Sequence, residues 1–299
     1  MLALTPAIPA ARDQRMVPVE GGALYLGRTV ATPGAATALV VHGGPGISHE
    51  PLLVLETLAT PALSVAFYDQ RATGRSTGTI DGARVFDQAL ADLDAVAAAA
   101  TDRAVHLIGH SWGALLASLY AARHPERVAS LVLIDGVPPT GAGLDAAMVN
   151  YWARLRDFQA RGLVPADLPT WEQDGAGRML AILPIYYGEP SHPGARTLGG
   201  ASFSVAAFNG TRAALAHHDV RDALATVTQP SLQFGTEFPF GLAMSDEIAA
   251  ALCGSPTRRV VMRGCGHLPF AERPVPFLAE VSKFLFTQID ANNPRGDHP

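Results

Sequence analysis

Short apolar runs, each ended by a polar or glycine turn and each followed by a helical pattern, recur through the first half of this chain and constrain its fold more than any other feature. Thr37–Val41 leads into His42-Gly43-Gly44, and Ser64–Tyr68 into Asp69-Gln70-Arg71. Ala104–Ile108 leads into Gly109, and Leu131–Ile134 into Asp135-Gly136. Strands apolar along their whole length are buried on both faces, which requires helices above and below a parallel sheet. Ahead of them, Met16–Val19 and Ala23–Val30 flank Glu20-Gly21-Gly22, the pattern of an antiparallel hairpin at one sheet edge.

The alternation stops after the fourth of these runs. From about Val137 to Thr226 the chain reads as helical or irregular, with Trp152, Trp171, Tyr186, Tyr187, Phe203 and Phe208 scattered through it. Strand-like segments resume at Ser231–Phe234 and Arg259–Met262, and a closing helix from about Val275 sets Phe277, Leu278, Val281, Phe284 and Leu285 on one face. The expected organisation is one core built from residues 1–136 and 227–299, with residues 137–226 inserted as a helical cap. The residues beyond Asp290 read as a loose tail.

Composition removes several classes of function. The chain of 299 residues is 48% hydrophobic and 16% charged, with a net charge of −5, so it lacks the basic footprint that neutralises nucleic-acid phosphates. No uninterrupted apolar run reaches the ~18 residues of a membrane-spanning helix. Met1-Leu2-Ala3-Leu4-Thr5-Pro6 has no cationic start ahead of its apolar stretch, which argues against a secretory signal. Cys253 and Cys265 form neither a disulfide framework nor a metal-ligand spacing. A soluble cytoplasmic protein with a small-molecule substrate, and with no metal, cofactor, nucleic-acid or membrane partner, is the expectation.

Gly109-His110-Ser111-Trp112-Gly113 carries the chemistry. Placed between a buried strand and a helix, a G-x-S-x-G sequence makes a sharp turn that pushes the serine hydroxyl into a cleft, and small flanking residues prevent clashes. The following helix favours negative charge at its N-terminus. Ser111 is therefore the candidate nucleophile. His42-Gly43-Gly44-Pro45-Gly46 lies at the end of a neighbouring strand. Acyl transfer needs two N–H donors aimed at the oxyanion, and the backbone amides of Gly44 and Trp112 can supply them, whereas Pro45 cannot. Gly264-Cys265-Gly266-His267 follows the last strand and delivers the candidate general base, His267. His42 and His110 occupy motif positions suited to structural roles, and His217-His218 are expected to be exposed. Cys265 reads as a small buried filler.

Together with Asp69-Gln70-Arg71-Ala72-Thr73-Gly74-Arg75-Ser76, these motifs resemble the α/β-hydrolase superfamily, and the first two most resemble its proline iminopeptidase-like branch. The resemblance spans about residues 16–288. It implies an α/β-hydrolase fold, a mostly parallel eight-stranded sheet with a helical cap over the site, with Ser111 as nucleophile and His267 as base. The chain departs from the family at Ala72, where glycine is usual, and at the catalytic acid. Such hydrolases place an aspartate three residues after the glycine that ends the seventh strand, and Phe234-Gly235-Thr236-Glu237-Phe238-Pro239 puts Phe238 there. Asp135, after the sixth strand, stands where some haloalkane dehalogenases and the zearalenone lactonases keep their acid. Glu237 is the alternative, one residue off and therefore turned to the opposite face. Asp135 is favoured; Glu237 would then point elsewhere and Phe238 pack among apolar side chains.

These residues imply a serine hydrolase cleaving an ester, lactone or amide bond of a small hydrophobic substrate through an acyl-enzyme. Trp112 beside Ser111 resembles the dehalogenase arrangement, yet serine cannot replace the aspartate nucleophile those enzymes need. Cap aromatics such as Trp152, Tyr186 and Phe208 are candidate pocket residues. The alternatives are a proline iminopeptidase-type aminopeptidase and a non-hydrolytic ligand sensor or cofactor-free lyase on the same fold. An aminopeptidase would need carboxylates for the substrate amine, and none of the cap acids maps onto the family's pair.

Overall fold

The computed structural model describes residues 12–292, so the reading of the N-terminal residues and of 293–299 lies outside the described residues. β1 (Arg12–Val19) and β2 (Gly22–Thr29) form the antiparallel hairpin, closed with Val19 opposite Gly22. β3 (Ala36–Val41) and β4 (Leu63–Tyr68) follow, then helix α1 (Val85–Ala100), β5 (Val105–His110) and α2 (Trp112–Arg123). β6 (Val128–Ile134) precedes the insert, which holds α3 (Gly141–Ala160), α4 (Trp171–Ile182), α5 (Val205–Leu215) and α6 (Arg221–Ala225). β7 (Ser231–Thr236), α7 (Ala243–Ala251), β8 (Thr257–Met262), α8 (Pro269–Glu272) and α9 (Pro274–Asn292) complete the chain.

The strands form one 8-stranded sheet in the order β1-β2-β4-β3-β5-β6-β7-β8. β2 pairs antiparallel with β4, and every neighbouring pair from β4 through β8 is parallel. The alternation of side chains divides the core into two clusters. Leu39 and Val41 of β3, Leu107 of β5 and Leu131 and Leu133 of β6 face α1 and α2. Val40, Ile108, Val132 and Ile134 face the opposite way, against Phe277, Val281 and Leu285 of α9. Each fully buried side chain of this kind contributes about 1.5–3 kcal/mol relative to exposure, which is why the central strands read as continuous apolar runs.

Several elements differ from the sequence expectation. β5 continues through Gly109 and His110, which pair with Leu133 and Ile134, so the elbow lies at the end of the strand rather than in a loop. α7 was not anticipated; its Met244, Ser245 and Ile248 are buried within an alanine-rich stretch with weak periodicity. α9 runs to Asn292, two residues past the expected start of the tail. His218 is buried rather than exposed, because its ring nitrogens reach the carbonyls of Leu215 and Pro138, both at 2.8 Å.

Helices α3, α4 and α5 of the insert begin at well-formed caps. Thr140 accepts the Gly143 N–H, Thr170 and Gln173 make a reciprocal capping box, and Ser204 accepts the Ala207 N–H. Tyr151, Leu155 and Phe158 of α3 pack with Met179 and Ile182 of α4, and Phe240 and Met244 enter the same cluster from beyond β7. α6 sits differently: its Leu224 joins the core cluster beside α2. Among the described residues, no helix is long and apolar enough to cross a membrane.

Candidate active site

Ser111 stands between β5 and α2 with φ 55° and ψ −120°, a conformation that L-residues avoid. Its neighbours explain how the strain is held. A Cβ on Gly109 would lie 2.4 Å from the Gly113 carbonyl, and one on Gly113 would lie 2.0 Å from the Val41 carbonyl. The tight turn therefore admits only glycine at both positions. The Ser111 N–H donates to the Ile134 carbonyl (2.9 Å), and the Val137 N–H donates to the Ser111 carbonyl (3.2 Å), so both backbone groups are tied to the end of β6.

That same strand end presents Asp135, also at positive φ (46°) and fully buried. Its Oδ2 lies 2.5 Å from His267 Nδ1 and accepts the Thr236 hydroxyl at 2.8 Å. Its Oδ1 accepts the Thr236 N–H at 3.3 Å. A carboxylate in this position fixes the imidazole with the proton on Nδ1 and leaves Nε2 as the basic nitrogen. Glu237 turns away from this pair. It accepts the Gly264 N–H (2.8 Å) and an Arg263 N–H (3.4 Å), so it braces the loop before His267 instead of touching the ring. Phe238 does not pack purely among apolar side chains: the Arg154 guanidinium lies 4.3 Å from its ring centroid.

The other motif histidines are structural, and burial keeps them neutral. His42 is lowered to about 4, burial being the largest cause; its Nδ1 reaches the Gly43 carbonyl at 3.0 Å and its Nε2 accepts the Gln70 N–H at 2.9 Å. His110 is pushed well below the usual imidazole range by burial and by His267, and its Nε2–H donates to the His267 carbonyl at 2.9 Å. Cys265 is buried, and burial followed by the nearby Glu272 pushes its thiol up to about 12, which keeps it protonated.

The Asp69–Ser76 motif works as scaffolding. Asp69 Oδ1 lies 2.7 Å from His49 Nδ1, and Asp69 Oδ2 accepts the Arg75 N–H at 2.9 Å. Arg71 forms a bidentate pair with Asp92 at 2.9 and 2.6 Å. Gln70 was not singled out from the sequence, yet it joins two motifs. Its Oε1 accepts the Trp112 indole N–H (2.9 Å), and its Nε2–H donates to the His42 carbonyl (2.6 Å). The Trp112 side chain is thus buried in the core with its one donor used. His49, Glu50 and Asp69 bring ligand-type atoms within 4.8 Å of one another. The His49–Asp69 hydrogen bond already uses two of those three groups.

A cavity of about 420 Å³ lies between the sheet and the insert, lined by Gly43, Gly44, His110, Ser111 and His267 on the sheet side. Gly43 packs against Ser111: a Cβ there would lie 2.8 Å from Ser111 Cβ. This brings the Gly43–Gly44 segment, with Gly44 at φ 122°, beside the elbow. Trp112 opens α2, so its backbone N–H belongs to the first-turn donors that have no acceptor within the helix. From the insert, Trp152, Tyr186 and Phe208 line the cavity as the sequence suggested, joined by Tyr151, Trp171 and Met179. Phe203 stacks on Trp171 outside it. Phe240 and Met244 also line the cavity; they lie beyond β7, where no sequence pattern points to pocket residues.

Residues 39–274 match the alpha/beta hydrolase fold family. The proline iminopeptidase of Thermoplasma volcanium is 33% identical over 122 residues, 40% of this chain and 41% of that protein. That of Heyndrickxia coagulans is 33% identical over 117 residues, 39% and 40% of the two chains. The alignments thus span about two fifths of these relatives' length. Among solved structures, a proline iminopeptidase of Mycobacterium smegmatis superposes with a TM-score of 0.71 at 23% identity, covering 94% of this chain and 100% of that one. An esterase from Exiguobacterium antarcticum gives 0.70 at 17% identity, covering 92% and 98%. Likeness at such identities speaks for the fold alone. The match over residues 39–274, on an eight-stranded sheet with the elbow at its centre, makes this chain a member of the alpha/beta hydrolase fold family.

Proposed function

We propose that the protein is a serine hydrolase that cleaves an ester or lactone bond of a small, apolar substrate through an acyl-enzyme on Ser111. The observation that carries this reading is the buried Asp135–His267 pair at 2.5 Å, whose imidazole lines the same cavity as Ser111. In the proposed mechanism His267 Nε2 takes the Ser111 proton as the hydroxyl attacks the substrate carbonyl. Asp135 holds the imidazole in the required tautomer and stabilises its cation. The backbone N–H groups of Gly44 and Trp112 receive the oxyanion, and removing one such donor typically costs 10²–10³ in kcat. His267 then protonates the leaving group, and water activated by the same imidazole releases the acid.

The lining of the cavity supports an apolar substrate. Histidines apart, Glu50 and Arg212 are the charged residues that line it among the described residues. None of the insert's carboxylates Asp145, Asp157, Asp167, Glu172, Asp174, Glu189, Asp219 and Asp222 does so, which disfavours recognition of a substrate's free amine. Glu50 is the one observation favouring the aminopeptidase reading, because it lines the cavity and its carboxylate accepts the Ser48 hydroxyl.

A panel of p-nitrophenyl esters, lactones and aminoacyl naphthylamides, tested on wild type, Ser111→Ala and Glu50→Gln, decides between these readings. The proposal expects ester or lactone turnover that Ser111→Ala abolishes and Glu50→Gln leaves within about 10-fold. Release of N-terminal proline exceeding every ester, and collapsing in Glu50→Gln, would establish the aminopeptidase instead. Tight ligand binding without turnover would favour the sensor.

A further inference from the structure

The segment Ile185–Gly188 carries Tyr186 into the cavity wall, and its backbone is anchored on both sides. Arg154 donates from Nε to the Ile185 carbonyl (2.9 Å) and from Nη2 to the Tyr187 carbonyl (2.6 Å). On the other side, the His267 N–H donates to the Tyr186 carbonyl (2.8 Å). Glu272, at the end of α8, completes the junction. Its Oε2 accepts the Gly188 N–H (2.9 Å), while its Oε1 accepts the Gly266 N–H (2.6 Å). The Cys265 thiol points at the same Oε1 at 3.6 Å.

The two backbones meet too closely for side chains. A Cβ on Gly188 would lie 2.1 Å from the Gly264 carbonyl, and one on Gly266 would lie 2.1 Å from the Tyr186 carbonyl. The segment Ile185–Gly188 and the loop Gly264–His267 are therefore fitted to each other as one unit. One carboxylate spans them, with a different oxygen on each side.

We infer that Glu272 is a positioning residue that clamps the Tyr186 segment of the insert onto the His267 loop, so that pocket wall and general base are set together. This rests on His267 acting as base for Ser111. Charge-assisted hydrogen bonds to two amides are roughly twice as strong as neutral ones. A clamp of that kind fixes His267 Nε2 in a geometry where a displacement of about 1 Å costs on the order of 10²-fold in rate. The glutamine variant keeps the length of the side chain but retains one acceptor, and it turns an NH₂ donor toward the second amide N–H. One side of the clamp must open.

The test is the kinetics of covalent labelling by a fluorophosphonate, which needs no knowledge of the substrate. The final amplitude counts intact sites, and the rate constant reports how well Ser111 is activated. Wild type, Ser111→Ala, Glu272→Gln, Gly188→Ala and the double variant Glu272→Gln/Gly188→Ala are compared. The expected result is near-complete amplitude in Glu272→Gln and, in Gly188→Ala, an amplitude reduced only by the fraction that fails to fold, with the rate constant of the labelled sites lowered about 10-fold or more in each. The double variant is expected to fall short of the product of the two effects, as it must when both changes open one junction. Rates within 2-fold of wild type, a loss of amplitude without a change of rate, or fully multiplicative effects would each overturn the inference. If Glu272→Gln does not fold, the rate constant of Gly188→Ala decides alone by the same threshold. Labelling that survives Ser111→Ala would instead sink the proposed function, which keeps the two failures apart.

Discussion

Replacing Asp135 with asparagine separates catalysis from folding, because the surroundings of Asp135 dictate which way the new amide turns. The carboxylate has three donors to satisfy: His267 Nδ1–H and the Thr236 hydroxyl on Oδ2, and the Thr236 N–H on Oδ1. The Thr236 N–H is fixed by the backbone and can only donate, so the amide oxygen belongs at the Oδ1 position. The amide NH₂ then occupies the Oδ2 position. There the Thr236 hydroxyl can rotate to accept from it while turning its own proton toward the Phe238 carbonyl, 3.4 Å away. Every buried group is satisfied except that His267 must now accept at Nδ1 and carry its proton on Nε2. The opposite orientation would set NH₂ against N–H and leave a buried donor unmet, at about 1–3 kcal/mol. The structure therefore selects the catalytically wrong tautomer, and Asp135→Asn is expected to lower kcat by up to about 10⁴-fold, equivalent to about 5 kcal/mol of transition-state stabilisation. The melting temperature should change little. Glu237→Gln, which disturbs only the bonds to Gly264 and Arg263, is expected to cost under about 10-fold. Turnover of an active ester and thermal melts on both variants check this. A crippled Glu237→Gln beside a near-normal Asp135→Asn would instead make Glu237 the partner of the base.

Three further outcomes follow from the packing. Gly113→Ala places a methyl 2.0 Å from the Val41 carbonyl and 2.5 Å from that of His42, both backbone, so it should destabilise by more than about 3 kcal/mol and show as lost soluble protein or a depressed urea midpoint. Trp112→Phe leaves Gln70 Oε1 without its donor and should cost about 1–3 kcal/mol in the same assay, while fluorophosphonate labelling persists because the backbone N–H is kept. The buried imidazoles set the response to acid. His42 and His106 are lowered to about 4 and His110 falls well below its ordinary value, burial being the first cause in each. Between about pH 6.5 and pH 4 the unfolded chain binds protons that the folded chain refuses, so stability falls as pH falls, by up to about 4 kcal/mol per pH unit for three such groups. Urea midpoints that stay level from pH 7 to pH 5 would contradict this.

How much of this was legible in the sequence depended on how local each signal was. The central strands were readable because burial on both faces makes them apolar throughout, and the hairpin because Gly21 and Gly22 mark its turn. The elbow was readable because Gly109 and Gly113 are each dictated by a contact within a few residues or with the adjacent strand. α7 escaped because its alanines carry little periodicity, and the burial of His218 because its acceptors, Leu215 and Pro138, are backbone carbonyls that no sequence pattern advertises. Asp135 was reached indirectly, through the phenylalanine at position 238. Its second partner, Thr236, comes from β7 and is invisible until the strands are paired in register. Gln70 sat within a recognised motif, but its bridge from Trp112 to His42 is a tertiary fact. Phe240 and Met244 were missed as pocket residues because they lie outside the insert, and only the cluster they share with α3 and α4 reveals them.

The proposed hydrolysis stands or falls on a covalent intermediate on Ser111. It is tested most directly by quenching the protein in acid during turnover of a p-nitrophenyl ester and mapping any added mass by peptide mass spectrometry. One acyl group on the peptide containing Ser111, and none in Ser111→Ala, is the expected result. An acyl group on another residue, or an adduct that persists in Ser111→Ala, would contradict it.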